Sequence, residues 1–138
     1  MDHNNATIVI SSLDLERIEG LLDQPLHRDA AGFASLRSEL ARAHVLDPAE
    51  MPGDVVTMNS TAIVEDEASG GRREISLVYP READGAAGKV SVLAPVGSAM
   101  LGLRIGQSID WQVPGGRALR LRIAGLSYQP EASGELHR

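Results

Sequence analysis

The chain has 138 residues, enough for one hydrophobic core and a small appendage, and carries a formal net charge of −6. Aromatic residues make up only 3% of it (Phe33, Tyr79, Trp111 and Tyr128), which excludes a ring-lined pocket and a base-stacking platform for single strands. Cysteine is absent, so disulfides and thiolate metal sites are excluded as well.

The charge is unevenly placed. Residues 1–54 hold ten acids against four arginines, the whole of the −6, while residues 55–138 hold nine acids and nine bases. A phosphate-tracking surface needs the opposite bias, so no direct nucleic-acid binding is expected. No apolar run approaches a membrane span, and residues 1–11 lack the basic start and long apolar run of a signal peptide; a cytoplasmic location is expected.

In chain order, Ala6–Ile10 is a short β-prone segment. Ser11 and Ser12 offer helix N-caps, with Asp14 three residues after Ser11 as in a capping box. Leu15, Ile18 and Leu22 then repeat at helical spacing, and Asp14, Glu16, Arg17 and Glu19 are assigned to the wet side. Asp23-Gln24-Pro25 ends that helix, because Pro25 disfavours helical geometry at Gln24. A second helix is predicted to start near Asp29, with Phe33, Leu36, Leu40 and Ala43 as its packing seam. Two short seams joined by a tight loop make an antiparallel helical hairpin over residues 1–50. Asp47-Pro48 and Met51-Pro52-Gly53 read as a linker, which makes 51–138 a second unit.

Beyond the linker the period changes to two. Val55–Met58, Thr61–Val64, Glu74–Tyr79, Lys89–Leu93, Ser108–Val113 and Leu119–Tyr128 are strand candidates. Pro95 suits the first turn of a short helix over 95–102, and Pro114-Gly115-Gly116 turns a terminal hairpin. The predicted fold is α+β: a twisted antiparallel sheet of about five strands with one short helix laid on it.

The ordered set Glu82-Ala83-Asp84 with Gly88, Pro95 with Ala99 and Gly102, Gly106, and Pro114-Gly115-Gly116 resembles the C-terminal domain of the GreA/GreB transcript cleavage factors. The stretches Met51–Ser60, Ala94–Leu103 and Tyr128–Ala132 are similar to a short-armed group of that family, Rnk, the so-called regulators of nucleoside diphosphate kinase. The resemblance implies a coiled-coil-like hairpin followed by an FK506-binding-protein-like sheet, with RNA polymerase, at the rim of its secondary channel, as the partner. It also implies that the turn before the short helix (Leu93, Ala94, Pro95 and Val96) carries the contact, with Glu82 and Asp84 nearby. Leu93 and Ala94 stand where Gre factors have a polar pair. Arms of about 13–16 residues span about 20–24 Å, too short to carry carboxylates to the polymerase active site.

The hairpin tip, Asp23, Gln24, Pro25, His27, Arg28 and Asp29, has two acids six positions apart with an arginine between them, and reads as a helix end and a helix cap. Asp47-Pro48-Ala49-Glu50 reads as a local turn. Gly85–Lys89 has the wrong spacing for a phosphate loop and reads as a Gly-rich hairpin turn. His3, His27, His44 and His137 share no ligand spacing, with His44 assigned to the end of the second helix. No catalytic residue, metal or cofactor is expected. Arg104, Arg117, Arg120 and Arg122 read either as a solvated strip balancing Glu74 and Asp110 or as a guide toward an acidic partner. Three functions remain open: a non-catalytic transcription regulator that competes with Gre-type factors, a direct regulator of nucleoside diphosphate kinase, and a prolyl isomerase suggested by fold alone.

Overall fold

In the computed structural model, residues 8–24, 33–112 and 118–135 are described. Strand β1 (Val9–Ser11) runs directly into helix α1 (Ser12–Leu22); α2 (Ala34–Arg42) leads into β2 (His44–Leu46). The Ser11 side chain caps α1 by accepting from the Asp14 N–H at 3.0 Å. Helix α1 ends at Leu22, with Asp23 as its C-cap. The expected start of the second helix at Asp29 lies outside the described residues.

Strands β1 and β2 pair in parallel as a sheet of two, with Ile10 opposite Val45. Position 44 therefore belongs to a strand, and His44 does not serve the end of α2.

The main sheet has five strands in the order β5-β4-β3-β7-β6: β3 (Thr61–Asp66), β4 (Arg72–Val78), β5 (Lys89–Ser91), β6 (Ser108–Gln112) and β7 (Ala118–Tyr128). It is mixed, which corrects the expected antiparallel sheet. Strand β5 runs parallel to β4, with Val78 opposite Ser91. The chain makes that crossover through tight turns at Pro80–Glu82 and Gly85–Ala87, and 85–88 forms the expected hairpin turn, closed by an antiparallel bridge between Asp84 and Lys89. Residues 55–58 are not a strand. Val55 forms only a bridge to Arg104, and Val56 exchanges backbone hydrogen bonds with Gly102 and Leu103. The chain then reverses at Asn59, whose φ is 66°.

Helix α3 (Pro95–Met100) lies against β5 and β6. One hydrophobic cluster joins the helices to the sheet: Ile18, Leu22, Leu36 and Leu40 pack with Met58, Leu77, Met100, Ile109 and Ile123. Full burial of a side chain such as Ile18 stabilises the fold by about 1.5–3 kcal/mol. The intended linker is also packed, since Met51 and Val55 bury with Val9 in a smaller cluster.

Gly20 stands exposed in α1, and a Cβ there would meet nothing within 4 Å. Gly20→Ala is expected to stabilise the protein by roughly 0.5–1 kcal/mol, read as a raised urea midpoint with an unchanged slope.

Candidate functional site

The parallel pairing of β4 and β5 decides what meets at one end of the sheet. With Val78 opposite Ser91, and the Val92 N–H donating to the Val78 carbonyl at 2.9 Å, both strands leave the sheet at the same end. Residues 79–82 leave from one strand and 92–95 from the other, while by Asp84 the chain has turned back beside Lys89, at the start of β5. Glu82 and Asp84 are exposed, and the backbone of Asp84 pairs with that of Lys89. Leu93 and Ala94 are half-buried, and Leu93 rests against the core. Pro95 opens α3, as its fixed φ favours. Val96 is 7% exposed and belongs to the core, so it supports this turn from below and presents little surface to a partner.

This end of the sheet is set by close packing. A Cβ on Gly97 would lie 2.0 Å from the Ser91 carbonyl oxygen, so α3 is seated directly on the end of β5. The Ser91 hydroxyl in turn accepts from the Leu93 N–H at 3.0 Å. Of the hairpin-tip residues, Asp23 and Gln24 are exposed at the end of α1; Pro25, His27, Arg28 and Asp29 lie outside the described residues.

Where α1 meets residues 57–60 lies a polar joint that the sequence reading missed. Asp14, assigned to solvent, is 2% exposed, and its carboxylate oxygen Oδ2 accepts from the Met58 N–H at 3.1 Å. Burial pushes its carboxyl up to about 7, helped by the charge of Glu131 and opposed by the Met58 hydrogen bond and Arg17. Position 14 lies four residues before Ile18 and eight before Leu22, on the buried stripe, and that spacing was the available signal.

Thr57 and Ser60 are buried beside it. The Thr57 hydroxyl donates to Glu131 at 2.8 Å and accepts from Ser60 at 2.7 Å, while the Ser60 oxygen accepts from the Thr57 N–H at 3.0 Å. Buried Gln129 donates to the carbonyls of Pro52 and Val55 and accepts from the Ala132 N–H. The stretches 51–60 and 128–132 are thus one hydrogen-bonded seam. Tyr79 reaches the same region. Its buried hydroxyl is held well above the usual phenol range, first by burial and then by the charge of Asp14.

On the sheet, the described arginines of the strip pair with Glu65, Glu67 and Asp54. Arg122 donates to Glu65 at 2.7 Å, where Arg72 also binds; Arg120 lies 3.5 Å from Glu67, and Arg104 3.9 Å from Asp54. The Arg122 hydrogen bond holds the Glu65 carboxyl below its usual range. These ion pairs neutralise most of the strip; Arg117 lies outside the described residues. Among the described residues no group of three or more His, Asp or Glu side chains is placed to hold a metal ion, and no helix is long and apolar enough to cross a membrane.

An α+β chain with a helix pair packed on a five-stranded mixed sheet has known relatives. Residues 51–128 match the family described as "Transcription elongation factor, GreA/GreB, C-term", and residues 7–46 match "Rnk N-terminus". The chain belongs to the GreA/GreB family, in its Rnk branch. It is 47% identical over 129 residues to the "Regulator of nucleoside diphosphate kinase" of Escherichia coli (strain K12), covering 94% of this chain and 95% of that one. Transcription elongation factor GreA of Desulfovibrio desulfuricans is 33% identical, with 88% of this chain and 80% of that one covered. A solved "Prokaryotic transcription elongation factor GreA/GreB from Nitrosomonas europaea" superimposes with a TM-score of 0.78 at 48% identity, covering 90% of this chain and 100% of that one.

Proposed function

We propose that this protein is a non-catalytic, cytoplasmic regulator of transcription. It binds RNA polymerase near the secondary channel and competes with Gre-type factors without stimulating transcript cleavage. Residues 1–50 act as a short antiparallel helical hairpin, and residues 51–138 act as an FK506-binding-protein-like docking body. The hairpin reading is supported by the packing of Ile18 and Leu22 with Leu36 and Leu40, and by Arg37, which donates to the Leu22 carbonyl at 3.0 Å. Docking uses the end of the sheet that carries Leu93, Ala94 and Pro95, with Val96 beneath them and Glu82 and Asp84 alongside.

The observation that carries the reading is arm length. The described helices have 11 and 9 residues, about 16 and 14 Å at a rise of ~1.5 Å per residue. A probe of that size occupies the channel entrance and leaves the reaction centre untouched.

The expected result is retention of RNA polymerase on the immobilised protein, displacement by a Gre factor, and no added transcript hydrolysis in a stalled complex. Stimulated hydrolysis, or no retention at micromolar protein, overturns the reading. Lys89 is the sole lysine, so an amine-reactive crosslinker aimed at side chains reports directly on the neighbourhood of Asp84.

The printed name of the Escherichia coli relative favours one second reading, direct regulation of nucleoside diphosphate kinase. Equal kinase activity with and without the purified protein would remove it.

A further inference from the structure

Asp14 sits where three parts of the chain meet. Its own helix α1 contributes the Ser11 cap and Arg17; the segment after the 51–55 stretch contributes the Met58 N–H; the C-terminal segment contributes Glu131, fixed in place by the Thr57 hydroxyl. Tyr79, leaving β4, faces the same carboxyl with Arg17 and Glu82 as its other charged neighbours. Along the rest of α1, Ile18 and Leu22 meet the body through apolar contacts, and Arg17 lies against Tyr79. The Asp14 side chain is thus a buried polar tie between helix and sheet, and it faces a second carboxylate.

We propose that Asp14 is a proton-operated latch that holds α1 against the sheet when neutral and loosens it when ionised. In the neutral form the carboxyl keeps the Met58 hydrogen bond without carrying charge into the interior or repelling Glu131. Ionisation adds both costs, and Arg17 offsets them only in part. Because burial raises this carboxyl from 3.8 to about 7, its contribution to stability is complete below about pH 4 and is lost as pH rises through about 7. The latch therefore releases near neutrality, in the direction of higher pH. This inference concerns the helix–sheet contact and stands apart from the choice of partner.

The test is hydrogen exchange of the α1 amides in the full chain from pH 5 to 8.5, corrected for intrinsic exchange and referenced to β3 and β7. Protection of α1 is expected to fall by up to about tenfold per pH unit until about pH 7 and then level off. In Asp14→Asn, which keeps an acceptor for the Met58 N–H, the profile is expected to be flat. Parallel profiles for the parent and the variant overturn the proposal. If Asp14→Asn does not fold, Glu131→Gln decides. Removing the neighbouring charge lowers the Asp14 pKa, so the fall is expected to shift to lower pH, and an unshifted midpoint overturns the latch.

Discussion

Gly97→Ala is expected to destabilise the protein by about 3 kcal/mol or more, lowering Tm by roughly 10 °C. The new Cβ would stand 2.0 Å from the Ser91 carbonyl oxygen and 2.9 Å from its carbon. Both atoms are backbone, so neither rotates aside, and relief requires α3 to lift from β5. That movement also strips cover from Val96 and Met100, which are 7% and 0% exposed. Urea unfolding should show the midpoint falling at constant slope. The same lift distorts the turn carrying Leu93 and Ala94, so any affinity for polymerase should fall with it. A variant within a couple of degrees of the parent would show that α3 is not seated as described.

Gly102→Ala is expected to cost about 2–3 kcal/mol, against about 1 kcal/mol for Gly106→Ala. Both glycines have positive φ, 80° and 98°, so both substitutions carry left-handed strain. Only Gly102 has a neighbour. Its Cβ would fall 2.5 Å from the Cβ of Ile8, whereas at Gly106 nothing lies within 4 Å. Ile8 holds the start of the chain through its carbonyl, which accepts from the His44 N–H at 2.8 Å. The larger loss should therefore come with faster hydrogen exchange or proteolysis around Val9–Ser11, leaving β3 and β7 protected. Equal losses for the two variants would mean that Ile8 does not pack on Gly102.

Local chemistry was legible in the sequence where it acts on its own. Ser11 caps α1, Pro95 opens α3, and the alternation of Leu121 and Ile123 with Arg120 and Arg122 marks the two faces of β7. What stayed hidden depends on which distant segment lies alongside. The period of β5 is the same whether it pairs in parallel or antiparallel, so its direction beside β4 could not be read. Val55–Met58 looks like a strand because it is apolar, yet its backbone bonds go to the 102–104 turn and to Ser60. Asp14 looked like a surface acid because its neighbours Glu16, Arg17 and Glu19 are exposed. Its buried role follows from Met58, 44 residues away. The arginines of β7 likewise find Glu65 and Glu67 across the sheet, two acids that the spacing of the sequence did not single out. In the candidate site, Glu82, Asp84, Leu93, Ala94 and Pro95 were named from resemblance, while the polar joint around Asp14 came only from the fold.

The glutamine at position 129 has a practical bearing on how this molecule can be dissected. Its side-chain amide closes the carbonyls of Pro52 and Val55 at 2.8 and 2.7 Å, one residue past the end of β7. A fragment trimmed at Tyr128 would strand two acceptors and release Thr57 from Glu131, each buried group left unmet costing about 1–3 kcal/mol. Anyone borrowing the sheet as an isolated module should keep the chain through Glu135, because the last short turn works as its bottom seam.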